Sequence, residues 1–108
     1  MSTEDIIRGQ LSDNPIILYM KGKPEAPECG FSARAVAAIQ ATGVTFAYVN
    51  VLAAPFIREK LPKISEWPTF PQLFVNGELI GGSDIVAAMQ ESGELAELLQ
   101  SVKPVTTG

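Results

Sequence analysis

Two residue types that carry much of protein metal and acid–base chemistry are almost missing from this sequence. Its 108 residues include one cysteine, Cys29, and no histidine. A lone cysteine excludes a disulfide within the chain, and the ligand sets of ordinary zinc sites cannot be assembled around it. Acid–base catalysis by histidine is excluded too. Redox chemistry at Cys29 would therefore need a thiol or a metal from outside the chain.

Concentrated charge and long apolar runs are also missing. The net charge is −4, from 12 acidic and 8 basic residues, and no block of like charge occurs. Nucleic acid and anionic membranes are therefore not expected partners. Residues 1–5 lack the basic and apolar segments of a signal peptide, and the longest apolar stretch, residues 15–20, is far shorter than a membrane span. We expect a protein of a reducing compartment, the cytoplasm.

What the sequence does have is enough apolar material for one packed core. The hydrophobic fraction is 46% over a length that suits one small domain. We therefore predict a single domain over residues 1–108, with residues 103–108 as a frayed tail.

The apolar pattern predicts the element order α-β-α-β-α-β-β-α-α. The first helix is capped near Thr3 and ends before Pro15, and the run Ile16–Met20 is a strand buried on both faces. Residues 21–28 are predicted as a loop and residues 30–43 as a helix. A strand over residues 46–51 and a short helix from Pro55 follow.

The second half of the chain carries the clearest local signal. Asn76-Gly77 between two apolar runs predicts a two-residue hairpin joining residues 72–75 to 78–81. Two prolines exclude regular structure over residues 67–71. A helix with Ile85, Val86 and Met89 facing inward is predicted next, then a last helix capped by Ser92. This order indicates an α/β, thioredoxin-like fold, with a four-stranded mixed sheet flanked by helices on both faces.

Cys29 is the first candidate for chemistry. It precedes a predicted helix, so its thiolate would face the free amides and positive dipole end of the first turn, and Lys21 ends the preceding strand. The alternative is an inert, buried thiol. The position between Glu28 and Gly30, outside the apolar stripe, favours the reactive thiol. The residue three positions after Cys29 is Ser32, whose hydroxyl lies in the first turn of the predicted helix. No resolving cysteine is therefore present.

Several blocks of sequence resemble the CGFS class of monothiol glutaredoxins, particularly its short single-domain bacterial members. The signature is Cys29-Gly30-Phe31-Ser32. It is accompanied, in the order and spacing typical of that family, by Lys21-Gly22, by residues 67–72 (Trp-Pro-Thr-Phe-Pro-Gln), by Asn76-Gly77-Glu78 and by Gly81-Gly82-Ser83-Asp84. One departure is Ser83, where many members have a cysteine that this chain therefore lacks.

The resemblance implies a glutathione site and its residues. Pro71 would be a cis-proline facing Cys29, and Thr69, Phe70 and Pro71 would contact the tripeptide backbone. The amides of Ser83 and Asp84, with the Asp84 carboxylate, would hold the γ-glutamyl end; from the residues alone, an ordinary helix cap at Ser83 is the alternative. The two residues that would hold the glycine carboxylate are Lys21 and Arg58.

The resemblance also implies the function, which we expect to be binding, storage and transfer of a [2Fe-2S] cluster. Four thiolates are normally needed, so two Cys29 side chains and two glutathione molecules would complete the set in a homodimer. BolA-like proteins and iron–sulfur client apoproteins are the implied partners. The alternative function is glutathione-dependent reduction of protein–glutathione mixed disulfides, which the CGFS class typically performs poorly. A redox sensor is a third, weaker possibility.

Overall fold

The computed structural model describes residues 1–102, so the predicted tail over residues 103–108 lies outside the described residues. The elements follow the predicted order, with one small hairpin added. They are α1 (Thr3–Asp13), β1 (Ile16–Met20), β2 (Gly22–Lys23), β3 (Ala26–Pro27), α2 (Gly30–Gln40), β4 (Ala47–Asn50), α3 (Pro55–Ser65), β5 (Gln72–Val75), β6 (Glu78–Gly81), α4 (Ser83–Ser92) and α5 (Glu94–Ser101).

The main sheet has four strands in the order β4-β1-β5-β6. Strand β1 pairs parallel with β4 and antiparallel with β5, and β5 pairs antiparallel with β6. The β5–β6 connection is the predicted Asn-Gly turn, with φ of 51° at Asn76 and 80° at Gly77, as a primed hairpin turn requires. The predicted mixed sheet and hairpin are confirmed.

Strand β1 divides the core into two halves, and all five of its residues are buried. Ile16, Leu18 and Met20 belong to the half that includes residues of α2, α4 and α5. Ile17 and Tyr19 belong to the half that includes residues of α1 and α3. A strand with apolar side chains at every position is therefore covered on both faces, as its sequence predicts.

The predicted loop before Cys29 is wrong in part, because it contains the short β2–β3 hairpin. Gly22 pairs with Pro27, and Lys23 pairs with Ala26. Gly22 has a φ of +94°, and a Cβ there would lie 2.6 Å from the backbone nitrogen of Glu28. Only glycine fits this close approach, which brings the chain back toward the end of β1 just before Cys29.

Two predicted helix caps need correction. Helix α1 is capped by Ser2 rather than Thr3, since the Ser2 hydroxyl accepts from the Asp5 backbone N–H while the Asp5 carboxylate accepts from the Ser2 N–H. The N-cap of α5 is Gly93, although the Ser92 hydroxyl accepts a 3.3 Å bond from the Glu94 N–H. Within residues 1–102, no helix has the length and apolar character needed to cross a membrane.

Candidate functional site

One open cleft of ≈650 Å³ contains every residue that the sequence singled out for a site. It lies where the end of β1, the starts of α2 and α4, one side of α3 and the segment before β5 meet. The predicted site residues among its lining are Lys21, Cys29, Arg58, Thr69, Phe70, Pro71, Ser83 and Asp84.

Cys29 occupies the N-cap position of α2, with extended backbone angles and no capping hydrogen bond from its side chain. Its carbonyl accepts the first bond of the helix, from the Ala33 N–H at 2.9 Å. The amides of the first turn have no intrahelical acceptor, so they are available to the sulfur. The thiol is free and partly exposed, which excludes the inert core cysteine.

The surroundings of the sulfur lower the pKa of the Cys29 thiol from its ordinary value. The largest cause is the Ser32 backbone N–H, which would donate to the thiolate, with smaller contributions from the Phe31 N–H, the charge of Lys21 and the Ser32 hydroxyl. Slight burial opposes them. Amides at the start of a helix stabilise an anion, so the fold favours the thiolate.

Ser32 does more than fill a place in the first turn. It is fully buried, and its hydroxyl oxygen accepts a 3.0 Å bond from the Lys21 backbone N–H. Its own proton remains available to donate to the sulfur, in agreement with its effect on the thiol pKa. Ser32 therefore ties the end of β1 to the start of α2 and helps to stabilise the thiolate.

Two cations line the cleft, Lys21 at the end of β1 and Arg58 on α3. Arg58 is exposed and Lys21 is half-buried. Within the described part of the chain, neither side chain forms a salt bridge. Both charges are therefore available to an anionic ligand.

The wall opposite α2 is the irregular segment between α3 and β5, residues 66–71. The Phe70–Pro71 peptide is cis, as the resemblance implied. The Phe70 side chain is buried in the core half that includes α1 and α3. Among residues 1–102, we find no hydrogen bond to the Phe70 N–H or C=O, so its backbone polar groups are free to pair with an extended ligand.

At the far end of the cleft, α4 begins without a side-chain cap. Its N-cap is Gly82, not Ser83, so the capping alternative for Ser83 is wrong. The Asp84 carboxylate accepts a 2.7 Å hydrogen bond from Arg34 of α2, and this ion pair joins the two helices beside the cleft. The first turn of α4 therefore offers amides beside an exposed pair of opposite charges.

Three further side chains at the cleft differ from or add to the sequence predictions. Ile85 does not face inward: it is 39% exposed, because it lies over Gly81, where an added Cβ would meet it at 2.7 Å. Phe31 is 60% exposed and lines the cleft, although only its place between Gly30 and Ser32 pointed to it. Trp67 lies against Gly82, where an added Cβ would be 3.2 Å from its Nε1.

Known proteins resemble the chain in both sequence and structure. The glutaredoxin family profile matches residues 16–80. Glutaredoxin 4 of Escherichia coli (strain K12) is 56% identical over 99 residues, covering 92% of this chain and 86% of that protein. The probable monothiol glutaredoxin GrlA of Legionella pneumophila is 64% identical over 84 residues, covering 78% of this chain and 94% of that protein.

Among solved structures, a monomeric truncated mutant of Trypanosoma brucei 1-C-Grx1 superposes with a TM-score of 0.82 at 35% identity, covering 99% of both chains. This similarity confirms the thioredoxin-like fold. Since the family profile spans more than half of the sequence, and relatives of that name are more than half identical to most of it, this chain belongs to the glutaredoxin family, among its monothiol members.

Proposed function

We propose that the protein binds glutathione in the cleft and, as a dimer, holds and transfers a [2Fe-2S] cluster. One observation carries the proposal: a single accessible thiol with a lowered pKa lines the cleft, and the sequence has no other cysteine and no histidine. Within residues 1–102, no cluster of three or more histidine, cysteine, aspartate or glutamate side chains is placed to hold a metal. Four thiolates therefore require contributions from outside the protomer.

The charges of the cleft support glutathione as the second thiol. Lys21 and Arg58 suit its glycine carboxylate, and the free backbone of Phe70 suits its extended cysteinyl part. The amides at Ser83 and the ion-paired Asp84 suit the γ-glutamyl end, which carries both an ammonium and a carboxylate. With its two ends held in this way, glutathione would bring its thiol toward Cys29.

The rim of the cleft supports the dimer. Phe31 and Ile85 expose apolar side chains beside the thiolate, 60% and 39% exposed respectively. Two protomers sharing a cluster would bring these rims together and remove them from water. We propose the same exposed face as the place where BolA-like proteins and client apoproteins exchange with the second protomer, in the reducing cytoplasm.

The test is reconstitution of the purified protein with iron, sulfide and glutathione. We expect a visible absorption spectrum, two iron and two acid-labile sulfide per dimer, and a dimer in analytical ultracentrifugation. Cys29→Ser should abolish the spectrum and the dimer together, while Ser2→Ala, which changes only the distant cap of α1, should retain both. A cluster on a monomer, or one that survives complete removal of glutathione, would contradict the proposal.

A second candidate is the reduction of mixed disulfides, and the lowered pKa of Cys29 favours it. The thiolate would attack the glutathione sulfur of a protein–glutathione disulfide and release the protein thiolate. A second glutathione thiolate would then attack the enzyme-bound disulfide, regenerating Cys29 and forming oxidised glutathione. Turnover of a glutathionylated peptide at a rate well above that of glutathione alone, by a protein that assembles no cluster, would favour this function instead.

A further inference from the structure

Gln72 is a polar side chain in the centre of the fold that the proposed chemistry does not use. It is the first residue of β5 and is fully buried. Its side-chain Nε2 donates two hydrogen bonds, to the backbone carbonyls of Trp67 at 2.8 Å and of Thr69 at 3.1 Å. Both acceptors lie in the irregular segment 66–71, which forms one wall of the cleft. A single side-chain amide therefore ties two points of this wall to β5.

The segment has few other means of holding its shape. Pro68 and Pro71 have no N–H, so this stretch lacks donors for a regular hydrogen-bonding pattern. The two bonds from Gln72 meet the carbonyls on either side of Pro68. This buried amide is costly to replace, because its loss would leave the carbonyls of Trp67 and Thr69 without the bonds that it donates to them.

A second contact holds the other side of the same segment. A Cβ built on Gly82 would lie 3.2 Å from Trp67 Nε1 and 3.3 Å from the Pro71 carbonyl oxygen. The segment is therefore packed directly on the N-cap of α4, and a side chain at Gly82 would require it to shift. Gln72 holds the segment from the sheet side, and the absence of a side chain at Gly82 allows the segment to pack against α4.

We propose that Gln72 is a positioning residue that holds segment 66–71 in the shape that binds glutathione. The part concerning the ligand rests on the proposed function, whereas the part concerning the segment rests only on the contacts described above. Gln72 acts from behind the wall, through the carbonyls of Trp67 and Thr69, and needs no contact with the ligand.

The experiment compares Gln72→Met with Leu73→Met. Methionine is close to glutamine in volume but lacks the donors, and Leu73 is an equally buried neighbour on β5 with no polar role. The readouts are hydrogen–deuterium exchange of the segment and titration calorimetry with reduced glutathione. For Gln72→Met we expect about tenfold faster exchange at Trp67, whose N–H donates a 3.3 Å bond to the Ser65 hydroxyl, and about tenfold weaker glutathione binding. Leu73→Met should leave both unchanged, and Cys29 should keep its pKa in either variant.

The proposal would be overturned if segment exchange and glutathione affinity in Gln72→Met matched those in Leu73→Met. If the unmodified protein does not bind glutathione, the proposed function fails, and the exchange rates alone decide whether Gln72 holds the segment. If Gln72→Met does not fold, Gln72→Glu tests the same proposal. Its neutral acid donates one bond and its carboxylate donates none, so segment exchange relative to the unmodified protein should increase as this glutamate ionises. No such increase would overturn the proposal.

Discussion

Helices α1 and α2 are both eleven residues long, but they begin in opposite ways. Helix α1 starts with a reciprocal capping box and two acidic residues in its first turn. Helix α2 starts with Cys29, has no side-chain cap and has no acidic residue in its first turn. The first helix uses its own side chains to satisfy its amides, whereas the second leaves its amides to the thiolate.

This difference explains how a chain with one cysteine and no histidine obtains a reactive group. A thiolate at an uncapped helix start supplies the negative charge that acidic residues supply in α1. In return, the amides lower the pKa of the thiol. The first turn of α2 thus stabilises the thiolate, whereas the capping box in α1 stabilises its own helix.

The largest effect on this arrangement should come from the glycine that precedes it. Gly22→Ala introduces a Cβ 2.6 Å from the Glu28 nitrogen at a φ of +94°. We expect a loss of roughly 2–5 kcal/mol of unfolding free energy, from steric overlap and backbone strain. Urea unfolding followed by circular dichroism measures it.

Gly30→Ala is the matched control, because nothing lies within 4 Å of a Cβ at that position and it is the first residue of α2. Its stability should change by less than about 1 kcal/mol, in the stabilising direction. Equal losses in the two variants would show that the approach of Gly22 to Glu28 does not constrain the path to Cys29.

The contrast between the β5–β6 hairpin and the β2–β3 hairpin shows what could be predicted from the sequence. Asn76-Gly77 lies between two four-residue apolar strands, so both the turn and the register have local signals. Strands β2 and β3 have two residues each, which is too short for any periodicity. Their pairing depends on the close packing of Gly22 against Glu28, which only the folded chain reveals.

The site shows the same division. Most of its residues could be located, because they belong to short motifs that resemble a known family, whereas Arg58 lies outside these motifs and is indicated by the resemblance alone. The contacts between motifs could not be located: Arg34 and Asp84 are 50 residues apart in sequence, and no periodic pattern relates them. The Gln72 amide likewise forms bonds across a loop whose shape the sequence does not specify.

Two serine substitutions sharpen the comparison of the helix starts. Ser32→Ala leaves the part-buried Lys21 N–H without its acceptor, so we expect a loss of about 1–3 kcal/mol of stability together with a raised pKa of Cys29. Ser2→Ala should cost about 1 kcal/mol through loss of the α1 cap and leave the thiol pKa unchanged. Alkylation rate against pH measures the thiol. A shift in Ser2→Ala as large as in Ser32→Ala would contradict local control by α2.

The pH dependence of stability offers a test of smaller magnitude. The folded chain lowers the pKa of Cys29, so it binds that proton less tightly than the unfolded chain. The resulting stabilisation is complete above the unfolded pKa of about 8.5 and is lost as the pH falls through the folded pKa. Cys29→Ser should lack this component, so the difference in unfolding free energy between the two proteins should grow with pH across that window. A constant difference would show that the thiolate contributes nothing to folding.

The smallest effect concerns the two surface ion pairs found within residues 1–102, one on each of the contrasted helices. Arg34–Asp84 is 2.7 Å long and links α2 to α4, and Arg8–Glu4 is 3.2 Å long within α1. Both are exposed, so Arg34→Ala and Arg8→Ala should each cost less than about 1 kcal/mol of stability. Only the first should affect the ligand, since Arg34 holds Asp84, the residue that we propose accepts from the ammonium of glutathione. We expect Arg34→Ala and Asp84→Asn to weaken glutathione binding by roughly two- to fivefold, and this effect should decrease with added salt. Calorimetry at low and high salt measures it, and an equal loss of affinity in Arg8→Ala would attribute the effect to net charge rather than to the pair beside the cleft.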